Sequence, residues 1–127
     1  MKALLDTSIL IAGDTVSPEY DAAISAISIC ELHYGLLTAQ DETARATRAA
    51  KLGDVEAQFP APLPIDGRVA REWGRLQAAV VARGGKVRRR NSDLAIAATA
   101  NVRGAVLITH NIKDFEIIKD LVAVRTP

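Results

Sequence analysis

Short apolar runs and stretches of helical periodicity alternate along this chain, and that alternation constrains its fold more than any other feature. Residues 2–5 (Lys-Ala-Leu-Leu) form an apolar run that ends at Asp6, and Ile9 to Ala12 reads as a short helix. Residues 22–27 suit a second buried strand, after which Ile29, Leu32, Leu36 and Leu37 recur at helical spacing between Ser28 and Thr38. Residues 42–58 read as a polar helix. Three prolines at 60, 62 and 64 then make a connection leading to an edge-like strand around Leu63 to Ile65. Val69, Trp73, Leu76 and Val80 fall at steps of four, three and four, which predicts an amphipathic helix from Gly67 to Arg83, closed by Gly84-Gly85. A basic loop, Lys86 to Asn91, leads into Asp93 to Val102, apolar on nearly every side and hence a buried helix. Ala105 to Ile108 reads as a central strand and Val122 to Val124 as a last short one. The expectation is an α/β fold with a mainly parallel sheet covered on both faces.

The length of 127 residues suits one domain, 1–127, and 49% hydrophobic with 24% charged residues excludes a disordered chain. No uncharged run exceeds nine residues, against the roughly 18 apolar residues of a membrane span. Met1-Lys2 passes directly into Ala3, Leu4, Leu5 and Asp6 without a signal-peptide core, so a cytoplasmic protein with no membrane partner is expected. The single cysteine, Cys30, excludes an internal disulfide framework and a cysteine-based zinc cluster. A net charge of +1 hides an asymmetry, −6 over residues 1–44 and +7 over 45–127. Carboxylates that hold a metal and arginines that hold phosphates coexist on nucleic-acid enzymes, though solvated surface gives the same counts.

In an open parallel sheet, sites form beyond the carboxyl ends of the strands. Asp6 follows the first strand, Glu31 lies four residues after the second, Asp93 opens the buried helix, and Asp114 lies six residues after Ile108. Each has a structural explanation alone: Asp6 as an N-cap, Ser28-x-x-Glu31 as a capping box, Asp93 as a helix-dipole partner, and Asn111-x-x-Asp114 as a capping pair. Four acids at one rim repel one another unless a divalent cation neutralises them, and one such cation accounts for all four together.

Leu4-Leu5-Asp6-Thr7-Ser8, Ser28-Ile-Cys-Glu31-Leu-His-Tyr-Gly35, Asp93-Leu-Ala-Ile-Ala-Ala-Thr99 and Thr109-His-Asn111-Ile-Lys-Asp114-Phe115, in this order and spacing, resemble the PIN-domain ribonucleases. More narrowly the chain is similar to the VapC toxins of bacterial toxin-antitoxin pairs. The resemblance implies a three-layer α/β/α sandwich, Mg²⁺ with Mn²⁺ able to substitute, endonucleolytic cleavage of RNA, a homodimer, and an antitoxin that blocks the site. Many members carry an acid where this chain has Asn111, which leaves the fourth acidic role to Asp114 or shared between the two.

The residues then divide into roles. Asp6 and Asp93 are expected as principal metal ligands, with Glu31 and Asp114 completing the catalytic site directly or through water. An all-oxygen ligand set selects hard cations. Thr7, Thr109 and Asn111 are expected around these ligands, and Arg88, Arg89 and Arg90 on RNA phosphates, with Lys86 and Arg83 extending the strip. His33 and His110 give no zinc spacing, and Gly84-Gly85 lacks the Lys-Ser/Thr of a phosphate-binding loop. Two other readings stand beside the nuclease. One is a receiver-like phosphoacceptor domain using Asp66, and the other is a catalytically silent PIN-like interaction module.

Overall fold

The computed structural model describes all residues from 1 to 127. Four parallel strands, β1 (Lys2–Leu5), β2 (Asp21–Ala23), β3 (Val106–Ile108) and β4 (Val124–Arg125), lie in the order β2-β1-β3-β4. Helices α1 (Thr7–Ala12), α2 (Ala26–Leu37), α3 (Glu42–Gln58), α4 (Gly67–Ala82) and α5 (Asn91–Arg103) connect them, and a 3-10 helix spans Ile112–Ile118.

The sheet is buried on both sides, and the two-residue period of a strand divides its side chains between two cores. Leu4 and Leu107 join Leu76, Val80, Leu94 and Ile96 of α4 and α5 on one side. Ala3, Leu5, Val106 and Ile108 join Ile9, Leu10, Leu32 and Leu52 of α1, α2 and α3 on the other. The chain is therefore a three-layer α/β/α sandwich. Register pairs Leu4 with both Ala23 and Leu107, and Leu5 with Ile108, so β1 and β3 end side by side. Asp6 and Thr109 leave the sheet at that shared end.

Gly13 (φ 72°) and Gly104 (φ 64°) close α1 and α5 in the left-handed conformation that a side chain disfavours. Helix α4 buries Val69, Leu76 and Val80. Its half-buried Trp73 donates its indole N–H to Asn91 Oδ1 at 3.0 Å, joining α4 to the start of α5.

Four local expectations are corrected. The strand over 22–27 is shorter, because the Ser25 hydroxyl accepts the Ile27 N–H at 3.0 Å and turns the chain into α2. Ser28 is consequently a fully buried residue inside the helix, and the expected capping box with Glu31 does not form. The strand at Leu63 to Ile65 is reduced to one bridge between Ser25 and Leu63. Pro62 and Pro64 on either side have no N–H to extend it. The last strand begins at Val124, while Val122 turns into the core.

Leu36 packs against the core, while Tyr34 and Leu37 of the same helix are 70% and 69% exposed. No helix is long and apolar enough to cross a membrane.

Candidate active site

Asp6 sits at the N-cap position of α1 but its carboxylate caps nothing. It is buried, and Oδ2 accepts two hydroxyls instead, Thr109 at 2.7 Å and Ser8 at 2.9 Å. Both hydroxyls have their proton direction set from behind, because the His110 N–H donates to Ser8 Oγ and the Asn111 N–H donates to Thr109 Oγ1. Asp6 Oδ1 has no protein partner and is the oxygen left to bind something else.

Glu31, on the second turn of α2, accepts the Thr7 hydroxyl at Oε1 across 2.7 Å. Thr7 has one proton and gives it to Glu31, so the Ser28 hydroxyl, 2.9 Å from Thr7 Oγ1, donates to Thr7. The relay runs from Ser28 through Thr7 to the carboxylate. Burial raises the proton affinity of Glu31, the Thr7 hydrogen bond lowers it, and the charge of Asp6 raises it again.

Asp93 lies in the first turn of α5. Burial foremost, then the charges of Asp6, Glu31 and Asp114, push its carboxyl up to about 7, against a small opposing effect of Arg90. The structure thus brings all four acids into one electrostatic neighbourhood at the carboxyl end of the sheet. Asp114, on the 3-10 helix, is the outermost: Arg90 donates to its backbone carbonyl at 2.9 Å and stands 3.8 Å from Oδ1.

No three His, Cys, Asp or Glu side chains form a ready-made metal cage. The donor set nevertheless fits a small hard cation, because Mg²⁺ takes one or two carboxylates directly and keeps several waters. A buried Asp6 with a free oxygen and an Asp93 crowded by three like charges offer those carboxylates.

Other expectations fare differently. The Asn111 side chain is exposed and bonds to none of the acids; its backbone N–H donates to Thr109 Oγ1 and its carbonyl accepts the Asp114 N–H at 2.9 Å. Arg83 leaves the basic strip to pair with Asp120 at 2.6 Å. Lys86, Arg88, Arg89 and Arg90 line a cleft of about 550 Å³ together with Asp114. Asp66 accepts the Val69 N–H at 2.9 Å and caps α4, a structural role that removes the basis of the receiver reading. His33 pairs with Glu56 on the surface.

Sequence reasoning missed Ser8 and Ser28, although a run of acid and hydroxyls, Asp6-Thr7-Ser8, was the available signal. It also missed the contact of His110 Nε2 with Asp14, which ties the loop after β3 to the loop after α1. A second cavity of about 540 Å³ lies between that α1–β2 loop and α3, and none of the four acids lines it.

Comparison with known proteins agrees with the fold. The family model of the PIN domain matches residues 3–121. The chain is 34% identical over 114 residues to Ribonuclease VapC5 of Mycobacterium tuberculosis (strain ATCC 25618 / H37Rv), covering 85% of this chain and 82% of that protein. Among solved structures it is similar to VapBC-5, a member of the VapBC family of toxin-antitoxin systems from M. tuberculosis, with TM-score 0.82, 33% identity, and 98% and 96% of the two chains covered. VapBC-1 from nontypeable Haemophilus influenzae matches with TM-score 0.75 and 25% identity over 99% and 98% of the chains. VapBC2 from Rickettsia felis, 24% identical with TM-score 0.79 over 100% and 99%, shares the fold.

Proposed function

Because the chain belongs to the PIN-domain family, we propose that it is a metal-dependent endoribonuclease and the toxin of a toxin-antitoxin pair. The observation that carries this reading is Asp93, whose proton affinity is raised by burial and by the charges of Asp6, Glu31 and Asp114. A carboxylate crowded by three others is held in that state when a cation is the intended occupant.

Mg²⁺, with Mn²⁺ as a substitute, is the proposed ion; when bound it acidifies water and stabilises charge on the phosphoryl oxygens. Asp6, whose Oδ1 has no protein partner, and Asp93 would hold it, with Glu31 and Asp114 completing the site. Thr109 and Ser8 keep the Asp6 carboxylate in one orientation, and Thr7 does the same for Glu31. Positioning of this kind converts bound substrate into a reactive geometry without motion of the protein groups. RNA phosphates are held by Arg88 and Arg89, which are exposed and enter no ion pair.

A toxin needs its site blocked in the resting cell. The antitoxin in this reading directs a basic side chain at the rim acids, so that partner and cation compete. Exposed Tyr34 and Leu37 give apolar surface for such association, and self-association as a dimer belongs to the same proposal. The test is incubation of purified protein with total RNA in Mg²⁺ or EDTA, with mapping of new 5′ ends. Defined cuts in Mg²⁺ alone are expected; no cuts in either, from protein freed of other nucleases, would remove the enzymatic reading and leave an interaction module.

A further inference from the structure

The cleft beside the acids has a composition that phosphate binding alone does not explain. Its rim is basic, but its floor is aliphatic, formed by half-buried Ile117 beside the exposed edges of the core residues Val80 and Leu94. Asp114 stands in its wall and Leu94 directly follows Asp93, so the cleft adjoins the carboxylate site. Of its cations, Arg90 alone has an acidic partner. The turn that carries them is pressed onto the floor: a Cβ on Gly85 would meet Ile117 Cδ1 at 2.7 Å and Val80 Cγ1 at 2.8 Å. Helix α5 begins at the same place, with Arg90 at its N-cap position and no side chain capping its first N–H groups. An anion beside those donors completes the helix end.

We propose that this cleft seats one nucleotide of the RNA next to the cut phosphodiester, its base against the aliphatic floor and its phosphate on Arg88 and Arg89. The proposal rests on the ribonuclease reading above. Its volume of about 550 Å³ falls within the roughly 300–1,000 Å³ of small-molecule sites. None of the chain's aromatic residues lines it. The base is therefore held by aliphatic contact and by the flat guanidinium groups, which stack on bases as aromatic rings do. An RNA strand fits both surfaces, since it alternates apolar base faces with phosphates. Continuity with the four acids places the next phosphodiester over the rim.

The test uses the Asp93→Asn protein, expected to bind without cutting, and fluorescein-labelled oligoribonucleotides centred on the cut mapped with the native protein. A single abasic ribose is moved along the oligonucleotide, and binding is read by fluorescence anisotropy. Abasic substitution at one position beside the cut should weaken binding about tenfold, the worth of burying one face of a base, and have little effect elsewhere. Adding Ile117→Gln should erase that position dependence, and the abasic scan stands on its own should this variant fail to fold. Equal affinity at every abasic position overturns the proposal even when the native protein cuts RNA. Failure of the native protein to cut RNA at all overturns the ribonuclease reading instead. If Arg88→Gln/Arg89→Gln leaves RNA affinity unchanged but releases a copurified protein, the cleft belongs to that protein and the proposal fails.

Discussion

Thr109 donates its hydroxyl to Oδ2 of Asp6 across 2.7 Å, joining the ends of two adjacent parallel strands that are 103 residues apart in the chain. The bond is buried, and Thr109 itself accepts the Asn111 N–H. One hydroxyl thus fixes a carboxylate and the first turn of the loop leading to Asp114.

Thr109→Val keeps the shape and removes both bonds. It leaves a backbone N–H unpaired and is expected to destabilise the protein by about 1–3 kcal/mol. Cleavage of RNA should fall more than stability predicts, because Asp6 retains only Ser8 to orient it. Thr109→Ser should restore most of the activity, and thermal melts beside cleavage rates measure both effects.

Removal of the metal exposes the repulsion among the acids. The Asp93 carboxyl is pushed up to about 7 from an ordinary 3.8, so between those values the folded protein binds more protons than the unfolded chain. Stability in EDTA should therefore decline as pH rises from about 4 to about 7 and level off above, the sign for an acid whose folded pKa is raised. Asp93→Asn should flatten that decline and abolish Mg²⁺-dependent cleavage. Added Mg²⁺ should raise the melting temperature of the native protein at pH 8 more than at pH 6, since protons and cation compete for the same carboxylates.

The hydroxyl relay gives a subtler outcome. Thr7 lowers the proton affinity of Glu31 against burial and Asp6, which raise it. Thr7→Val should shift the pH profile of cleavage toward higher pH, where Glu31 ionises without that hydrogen bond. Ser28→Ala removes the donor to Thr7 and leaves the Glu31 bond in place. It should leave the profile near that of the native protein while lowering stability by about 1 kcal/mol.

The sandwich was legible because parallel strands buried on both faces carry unbroken apolar runs, as at Leu4-Leu5 and Val106 to Ile108. Helix α4 was legible because its stripe has one period over four turns. The start of α2 was not, since Ala22 to Ile27 is apolar whether strand or helix and only the Ser25 hydroxyl decides where the chain turns. At the site, the acids were visible as acids after strands. The hydroxyls that orient them were not, because Ser8 is held by the His110 N–H 102 positions away and Ser28 acts on Thr7 21 positions away. Arg83 looked like part of the basic strip, and only the fold places it against Asp120.

The basic turn should divide by function rather than act as one block. Arg90 is committed to Asp114 through its carbonyl and carboxylate, whereas Arg88 and Arg89 are exposed without an acidic partner. Arg88→Gln and Arg89→Gln should each weaken RNA binding at every sequence and reduce the slope of log affinity against log salt by up to about 0.7 for each phosphate no longer neutralised. Arg90→Gln should change that slope less and reduce cleavage more, because it frees the loop that carries Asp114. Affinity titrations of the Asp93→Asn protein from low to moderate salt, with each arginine substituted in turn, measure the slopes. Cleavage rates of the same substitutions on the native background measure the rest. Equal slopes for all three variants would mean that Arg90 leaves Asp114 to meet the RNA.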